Sequence, residues 1–594
     1  MFQTFTAATS PDQGPPRLAA LRDQMKTEGL DAYIVPRADA HQGEYVAPCD
    51  ERLAWLTGFT GSAGFAVVTA KEAGVFVDGR YRLQVRTQVA DAFTPVDWPA
   101  TKPGSWLIDR LPKDASVGFD PWLHTADEIE RLEKDLHGAA TLIRSPNLVD
   151  RIWSDRPAPP DAPAFPHPIE CAGETSADKR DRMAGELKAA GEKALVVTLP
   201  DSICWLLNIR GNDIPRNPVV QAFAILHEDT RVTLFANPAK FESLEPDPAV
   251  GIEPRAAFED ALRALEGPVR VDRNTAPLAV SNILTDAGID VSAGDDPCIL
   301  AKARKNAAEL QGMREAHLRD GAAMVRFLAW LDREAPGGRV SEIDAVKALE
   351  SYRRATNSLR EISFETISGA GPNGAIVHYR VTEETNRRLK TGELYLVDSG
   401  GQYPDGTTDI TRTVVIGAPD TDQRACFTRV LQGMIAISTA RFPRGLAGRD
   451  LDALARAPLW RAGLDYDHGT GHGVGAYLSV HEGPQRISRI SDVKLEEGMI
   501  LSNEPGYYRE GAFGIRIENL IVVERAPKLG DNRDQLGFET LTFVPIDRRL
   551  IDKAMLAPWE IDWIDAYHRT VREKIGSRVD GDDQDWLDAA TRPL

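Results

Sequence analysis

The chain has 594 residues, and 27% of them are charged, with a formal net charge of −19. This length exceeds one hydrophobic core, and at about 150 residues per domain it predicts two to four domains. The acidic balance argues against a nucleic-acid partner, because binding phosphate needs a basic footprint. No segment reaches the ~18 apolar residues that a bilayer-spanning helix requires, so we expect no membrane partner.

The cysteines and the N-terminus predict the compartment. The five cysteines are scattered and form no CxxC pair, a pattern typical of free thiols in a reducing compartment. Residues 1–11 lack the charged and apolar regions of a secretory signal peptide. We therefore expect a cytoplasmic protein.

The N-terminal half contains two segments with the same predicted order of elements. Each has a helix, a buried strand and then a Trp-Leu-x4-Gly motif. The repeated order predicts a domain duplication. The helix, strand and motif positions are 18–25, 31–35 and Trp55 in the first copy, and 180–188, 194–198 and Trp205 in the second.

Two further features predict where domains begin. Residues 156–168 contain six prolines, which disfavour a helix or a central strand and predict a linker. From Ala301 to about residue 334, apolar side chains follow the 3.6-residue period of a helix, which Gly321 could divide in two. The predicted domains are residues 1–155, 156–302 and 303–594.

The last third is predicted to mix helices and strands. A helical stretch near residues 341–353 is followed by alternating strands and loops to about residue 546. Beyond it, Trp559, Trp563 and Tyr567 recur at the spacing of one helix face. We expect this stripe to pack against its own domain, with a subunit interface as the alternative.

Two aspartates flank a predicted hairpin in this region. Asp398 ends the apolar run 394–397, Asp409 precedes the run 410–416, and residues 400–406 have the composition of a turn. A carboxylate at the end of an apolar strand is unfavourable unless it is paired, hydrogen-bonded or metal-bound. Both aspartates are therefore candidate metal ligands; the alternative places one in a turn cap and the other in water.

Three more candidate ligands follow along the chain. His472 lies in a glycine-rich segment, Glu504 follows an apolar run, and Glu518 closes a predicted strand. Four carboxylates and one imidazole would form an oxygen-rich, anionic site. Hard or borderline divalent ions suit such a site, and two ions neutralise its charge better than one.

The neighbours of these ligands carry predictions of their own. Arg516 and Glu518 are two apart, so they share a strand face, and Arg516 could hold Glu518 through charge-assisted hydrogen bonds. A surface ion pair is the alternative. The segment Gly471-His-Gly-Val-Gly475 lacks GxGxxG spacing, which argues against a nucleotide site. Its glycines are expected to let the backbone approach a metal or a peptide.

At these residues the chain resembles the pita-bread dinuclear metallopeptidases, which include methionine aminopeptidase, prolidase and aminopeptidase P. The matching motifs are Val397-Asp-Ser-Gly400, Thr408-Asp-Ile-Thr-Arg-Thr413, His468-Gly-Thr-Gly-His-Gly473, His481-Glu-Gly-Pro484, Ser502-Asn-Glu-Pro-Gly506 and Gly514-Ile-Arg-Ile-Glu-Asn519. Upstream, the motifs similar to the long, three-domain aminopeptidase P form are Asp39-Ala-His-Gln-Gly-Glu-Tyr-Val-Ala-Pro48, Gly58-Phe-Thr-Gly-Ser-Ala-Gly64 and Val77-Asp-Gly-Arg-Tyr81. Residues 1–14 and the last ~20 lie outside the resemblance and are expected to be poorly ordered.

The resemblance implies a fold and a ligand set. The fold is two related creatinase-like α/β domains followed by a pita-bread α+β domain that carries the site. Asp398 and Asp409 would hold one metal, while Asp409, His472, Glu504 and Glu518 would hold the other. Asp409 and Glu518 would bridge the two ions. Manganese is the expected ion, with zinc or cobalt as substitutes. A homodimer is also expected.

The implied activity is the release of an N-terminal residue from peptides with proline at the second position. Two cations sharing a water would lower its pKa, and the resulting hydroxide would attack the Xaa-Pro carbonyl. Glu504 would carry the proton to the leaving nitrogen. His378 and His481 would stabilise the tetrahedral intermediate and orient the peptide. His468 and Arg516 are the other expected substrate contacts, and for the three histidines the alternative is structural support.

Other members of the resemblance imply other activities. Prolidase, which acts on Xaa-Pro dipeptides, is the main alternative because it shares every ligand, although it usually has two domains. A creatinase-like non-peptidase or a metal-free binding protein would lack the ligand set. Methionine aminopeptidase needs little beyond the catalytic domain. The five ligands and the long N-terminal half together favour aminopeptidase P.

Overall fold

The computed structural model describes residues 1–530 and 532–594, which form two compact units. The N-terminal unit is Ala8–Ile299, and the C-terminal unit combines Met1–Ala7 with Leu300–Leu594. Each helix in the described part of the chain is too short or too polar to span a bilayer.

The N-terminal unit begins with a six-stranded sheet. Its strands are β1 (Ala32–Pro36), β2 (Phe65–Thr69), β3 (Ala73–Val77), β4 (Thr94–Asp97), β5 (Ala115–Phe119) and β6 (Ala140–Arg144). Its helices are α1 (Gly14–Thr27), α2 (Arg52–Thr57), α3 (Arg82–Gln88), α4 (Pro103–Ile108), α5 (Ala126–Leu136) and α6 (Leu148–Ile152). The strand order is β4-β3-β2-β1-β5-β6. Strands β2 and β3 are almost wholly buried, as expected where both faces of a sheet are covered.

The same architecture follows a second time. The strands are β7 (Phe165–Pro166), β8 (Ala194–Val197), β9 (Ile209–Arg210), β10 (Phe223–His227), β11 (Val232–Phe235), β12 (Val250–Glu253), β13 (Val269–Val271) and β14 (Val291–Ala293). The helices are α7 (Ile169–Ala172), α8 (Ser176–Ala190), α9 (Pro200–Leu207), α10 (Phe258–Arg263) and α11 (Leu278–Asp286). The sheet order β12-β11-β10-β8-β13-β14 repeats the first sheet strand for strand, with the same parallel and antiparallel pairs. Trp55 and Trp205 lie on the corresponding helices α2 and α9. The predicted duplication is confirmed.

The proline-rich segment 156–168 is held by hydrogen bonds. The Ala162 amide donates to Asp213 Oδ1 over 3.0 Å, and the Ala164 amide donates to the Lys240 carbonyl over 2.8 Å. Asp213 and Lys240 form a buried ion pair with each other. Proline is compatible with the short strand β7, because β7 is an edge strand of the two-stranded β7–β9 sheet.

The C-terminal unit mixes helices with antiparallel sheets. Its helices, after α12 (Pro297–Ala303), are α13 (Ala307–Glu334), α14 (Glu342–Arg354), α15 (Thr421–Ser438), α16 (Gly448–Trp460), α17 (Pro558–Ile575) and α18 (Gly581–Ala590). Its strands are β15 (Glu361–Ile362), β16 (Ile367–Ala370), β17 (Leu394–Ser399), β18 (Gly401–Tyr403), β19 (Gly406–Thr407), β20 (Ile410–Val415), β21 (Phe442–Pro443), β22 (Gly471–Gly473), β23 (Glu482–Ile487), β24 (Ile500–Asn503), β25 (Gly506–Arg509), β26 (Phe513–Arg516), β27 (Asn519–Arg525) and β28 (Gln535–Thr540). Three of its sheets have three or more strands, with the orders β15-β18-β19, β16-β17-β20 and β21-β28-β27-β24-β22-β23.

The long helix begins later than predicted. The apolar period runs on from Ala301, but the chain leaves the helix after α12 and re-enters it at Ala307. The Asn306 side chain caps α13 by accepting hydrogen bonds from the amides of Ala308 and Glu309. In turn, the Glu309 side chain accepts a hydrogen bond from the Asn306 amide. Gly321 does not interrupt α13; an added Cβ would lie 3.0 Å from the Phe543 carbonyl, a tight contact that favours a small residue at this position.

Residues 1–7 and helix α18 pack within the C-terminal unit, contrary to the expectation of poorly ordered ends. Gln3 donates to the Thr366 carbonyl over 3.2 Å and accepts from the Thr366 amide over 2.9 Å. At the other end, Leu587 of α18 is fully buried and Asp583 pairs with Arg333 at 3.0 Å. The hydrogen bonds and the buried apolar surface account for their order.

The aromatic stripe on α17 packs as predicted for two of its three members. Tyr567 is buried, and its hydroxyl accepts from Arg412 Nη2 over 2.9 Å. Trp563 stacks on Tyr567, with ring centres 5.3 Å apart. Trp559 is 52% exposed.

Candidate metal centre

Asp398 and Asp409 lie on neighbouring strands. The register of β17 against β20 pairs Asp398 with Thr411 and Ser399 with Ile410, so Asp409 enters β20 beside the end of β17. The hairpin prediction is correct in its strands and incomplete in its turn, because residues 401–407 form the small β18–β19 hairpin. Both aspartates are buried.

Glu504 and Glu518 converge at another strand pair. Strand β24 ends at Asn503, β27 begins at Asn519, and these two residues are partners in the antiparallel ladder. Glu504, which follows Asn503, therefore lies beside Glu518, which precedes Asn519. The Glu518 amide donates to the Thr411 carbonyl over 3.1 Å, which joins this pair to the strand that follows Asp409.

His472 completes the cluster from β22. Its Nε2 lies 3.5 Å from Asp409 Oδ2 and 3.4 Å from Glu504 Oε1, while Nδ1 lies 2.9 Å from the Gly473 carbonyl, which orients the ring. Three groups of side chains have ligand atoms within 4.8 Å of one another. They are Asp398/Asp409/Glu518, His472/Glu504/Glu518 and Asp409/His472/His481.

The electrostatics of the cluster fit a pair of cations. Burial, and then the charges of Asp409 and Glu504, raise the pKa of Asp398 to about 6 against the opposing charge of Arg516. Burial and the neighbouring carboxylates raise the pKa of Glu518 well above its usual range. Among the described residues, Asp398 Oδ1 and Glu518 Oε1 are buried without a hydrogen-bond partner. Buried, unpaired carboxylate oxygens that repel one another are what divalent cations would neutralise.

Arg516 organises the cluster through a different partner from the predicted one. Its Nη2 lies 2.6 Å from Asp398 Oδ2. It reaches Glu518 only through Thr411, whose hydroxyl accepts from Arg516 Nε over 3.2 Å and donates to Glu518 Oε2 over 2.8 Å. The prediction of direct support for Glu518 is wrong, because β26 ends at Arg516 and the two residues do not share a strand.

The glycines of the His472 segment serve strand packing. An added Cβ at Gly471 would lie 1.9 Å from the Ser502 carbonyl of β24, and one at Gly473 would lie 2.3 Å from the Glu482 carbonyl of β23. They allow β22 to fit between two neighbouring strands. Their predicted role in letting the backbone approach a metal or a peptide stays a prediction beside this packing role.

The three other histidines are half-buried near the cluster. The ring of His481 meets that of His472 edge to face, with centres 4.4 Å apart. His468 has Nε2 2.9 Å from the Tyr508 hydroxyl and Nδ1 2.7 Å from the Gly469 carbonyl. His378 follows Val377, whose carbonyl accepts from Arg516 Nη1 over 3.4 Å.

Two residues that support the metal ligands through Arg516 were not identified from the sequence. Thr411 lies two positions after Asp409 on one strand face, a spacing that could have identified it. Tyr508 accepts from Arg516 Nη1 over 2.6 Å and contacts His468, and its place in β25 carries no sequence signal for either contact.

Family models match four stretches of the chain. Residues 17–152 and 155–309 each match the Creatinase/Prolidase N-terminal domain, and residues 311–525 match Metallopeptidase family M24. Residues 534–594 match the C-terminal region of peptidase M24. The predicted fold class, two creatinase-like domains followed by a pita-bread domain, is confirmed.

Individual proteins are similar over nearly the whole length. Aminopeptidase P2 of Arabidopsis thaliana is 42% identical over 95% of this chain and 86% of its own. A probable Xaa-Pro aminopeptidase P of Laccaria bicolor is 40% identical over 97% of this chain and 93% of its own. The crystal structure of X-prolyl aminopeptidase from Caenorhabditis elegans, described as a cytosolic enzyme with a di-nuclear active site, superposes with a TM-score of 0.93. That protein is 34% identical, over 98% of this chain and 99% of that one.

Proposed function

Because the chain belongs to the Xaa-Pro aminopeptidase P family of M24 metallopeptidases, we propose that it releases the N-terminal residue from peptides with proline at the second position. The convergence of four carboxylates, three of them buried, and one imidazole, with two carboxylate oxygens left unpaired, is the observation that carries this proposal. The full-length similarity to proteins named for this activity supports it.

The proposed ligands form two overlapping sets. Asp398 and Asp409 would hold one ion together with Glu518, and Asp409, His472, Glu504 and Glu518 would hold the other, so that Asp409 and Glu518 are shared. The appearance of Glu518 in two of the three ligand groups supports its bridging position. We propose manganese as the ion, with zinc or cobalt as substitutes, because oxygen-rich sites select poorly among these metals.

The chain's own residues would carry the proton and hold the substrate. When bound, the cations supply the charge that polarises the scissile carbonyl and lowers the pKa of a water. Glu504 is the proposed proton carrier to the leaving prolyl nitrogen; burial, as the largest effect, raises the pKa of its carboxyl in the metal-free chain. The Ser502 hydroxyl donates to Glu504 Oε1 over 3.0 Å and leaves Oε2 towards Arg516, 4.0 Å from its Nε.

The half-buried histidines are proposed substrate contacts. His378 and His481 would donate to the oxygen that becomes negative during attack and orient the peptide. His468 would offer a ring face to the proline, because both its nitrogens already contact protein atoms. Arg516, proposed as a substrate contact from the resemblance, is 1% exposed and engages Asp398, so we now propose that it acts on substrate through that carboxylate.

Further proposals concern organisation and compartment. We propose domains at residues 1–155, 156–302 and 303–594, supported by the two repeated sheets and the anchored linker. A homodimer is proposed from the resemblance, and a cytoplasmic location from the scattered cysteines; the cytosolic Caenorhabditis elegans relative supports the location.

The test is a parallel assay of the manganese-loaded protein on an Xaa-Pro-Xaa tripeptide, an Xaa-Pro dipeptide and a Met-Ala peptide. Preferential cleavage of the tripeptide after its first residue is the expected result. Preference for the dipeptide would indicate a prolidase instead, and cleavage of none of them would contradict the proposed activity.

A further inference from the structure

Three buried charges meet directly beside His481 and outside the ligand set. Lys305 Nζ donates to Glu482 Oε1, and Lys302 Nζ lies 3.2 Å from Glu482 Oε2. Lys305 Nζ also donates to the Lys302 carbonyl over 2.9 Å. All three residues are at most 5% exposed. We call this group the lysine clamp.

Such a cluster is costly to build. Each buried ion loses its hydration, and replacing such ions by apolar side chains of similar size often leaves a protein as stable. Stability alone therefore gives a weak reason for the clamp, whereas fixed geometry at a functional site gives a stronger one.

The position of Glu482 shows what the clamp would fix. Glu482 opens β23 and pairs with Gly473 at the point where the register between β22 and β23 shifts. It is covalently next to His481, and Gly473 is covalently next to His472. The backbone is tight here, since a Cβ on Gly473 would lie 2.3 Å from the Glu482 carbonyl. Holding Glu482 therefore sets the separation of the two imidazoles, whose ring centres lie 4.4 Å apart.

We propose that Lys302 and Lys305 hold Glu482 and thereby position His481 against His472 and the bound peptide. The inference rests on the proposed function, in which His481 contacts substrate. The three clamp residues are positioning residues, because they act through His481. A displacement of 1 Å in such a group can cost about 100-fold in rate, so losing the clamp should lower kcat more than it raises KM.

The test compares Lys305→Met with Lys305→Arg, which keeps the charge, and with Lys240→Met, which breaks the buried Lys240–Asp213 pair of the N-terminal unit. For each variant, kcat and KM on an Xaa-Pro-Xaa tripeptide, metal content and thermal midpoint are measured. The zinc-loaded proteins are also labelled with ¹³C in histidine, and the His481 resonance is assigned with a His481→Gln variant.

We expect Lys305→Met to lower kcat by about 10-fold or more, keep its metal and shift the His481 resonance. Lys305→Arg should recover most of the rate, and Lys240→Met should lower the thermal midpoint alone. If Lys305→Met does not fold, Lys302→Met, at the longer contact, serves in its place.

Unmoved histidine resonances with wild-type kcat per folded molecule would overturn the inference, as would a loss confined to the thermal midpoint. The resonances report on the clamp even if the wild-type protein cleaves none of the peptides. That outcome would contradict the proposed function, while a resonance shift would still support the positioning of His481 by the clamp.

Discussion

Arg516 Nη2 lies 2.6 Å from Asp398 Oδ2, and both residues are buried. The same guanidinium reaches the hydroxyls of Tyr508 and Thr411, so one planar cation orients several parts of the candidate metal centre. An ammonium group has the charge but not the fork of donors that makes these contacts together.

We therefore expect Arg516→Lys to weaken metal binding by about 10–100-fold, the usual cost of losing a group that orients a ligand. Metal titration of the metal-free protein measures it. Tyr508→Phe, which removes one of the three contacts, should have a smaller effect. Equal affinities in Arg516→Lys and wild type would show that the ligands hold their positions without the arginine.

Metal binding should release protons near neutral pH. Burial lowers the pKa of His472, but the hydrogen bond to Asp409 and the charge of Glu504 outweigh it and raise that pKa to about 9. The pKa of Glu518 is also raised. Both groups must lose their protons to bind a metal, so we expect one proton or more to be released near pH 7.

Calorimetric titration in buffers of different ionisation enthalpy measures that number as the slope of the apparent enthalpy. A slope of zero would mean that the ligands are already deprotonated in the metal-free protein. The same linkage predicts that metal affinity falls as the pH is lowered.

Asp409 should be indispensable, because it belongs to two of the three ligand groups. We expect Asp409→Ala to lose detectable turnover and to retain less metal, measured by elemental analysis and a peptide assay. The exposed Asp492 of the same unit provides a control, and Asp492→Ala should behave like wild type. Wild-type turnover by Asp409→Ala would remove the basis of the assigned site.

Two glycines of one segment should respond differently to the same substitution. A methyl group at Gly471 would lie 1.9 Å from a backbone carbonyl of β24, whereas at Gly469 the nearest atoms are 3.5 Å away. We expect Gly471→Ala to cost about 3 kcal/mol or more and to reduce bound metal, because β22 would be pushed from its neighbour. Gly469→Ala should keep its thermal midpoint and metal content. Similar behaviour of the two variants would contradict the packing role.

His568 should make the C-terminal unit sensitive to acid. Burial, followed by the nearby arginines, lowers the pKa of His568 from 6.5 to about 3. Its Nε2 accepts from the Ile546 amide over 3.1 Å, which requires the neutral ring. Only the unfolded state binds this proton between those two pKa values. The contribution of His568 to the free energy of unfolding is therefore complete above pH 6.5 and falls by about 1.4 kcal/mol per pH unit below it.

We expect His568→Gln, whose amide oxygen can still accept from Ile546, to be less stable than wild type at about pH 7.5 and to approach it at about pH 5. Thermal midpoints of the two proteins give the difference, in which other titrating groups cancel. A difference that does not change with pH would assign the acid sensitivity to other residues.

Local pattern predicted the hairpin of Asp398 and Asp409, because strand alternation and the turn composition lie within a short stretch of sequence. The start of α13 was also predictable from local sequence, because Asn306 and Glu309 have capping-box spacing. The prediction followed the apolar period that runs across these two residues instead. The partner of Arg516 and the lysine clamp were beyond prediction. Lys305 and Glu482 are 177 positions apart, and no local pattern specifies which buried charges will meet at such a separation.

The packing of residues 1–7 against the C-terminal unit has a consequence for the order of folding. Gln3 and Thr366 exchange hydrogen bonds across 363 positions of sequence. At 5–20 residues per second, a ribosome would make the first of these roughly 20 to 70 s before the second. The unit that carries the metal ligands therefore cannot acquire its complete set of contacts until late in synthesis. A fragment beginning at Leu300 would lack the contacts that residues 1–7 make in this unit, even if its own sheets form.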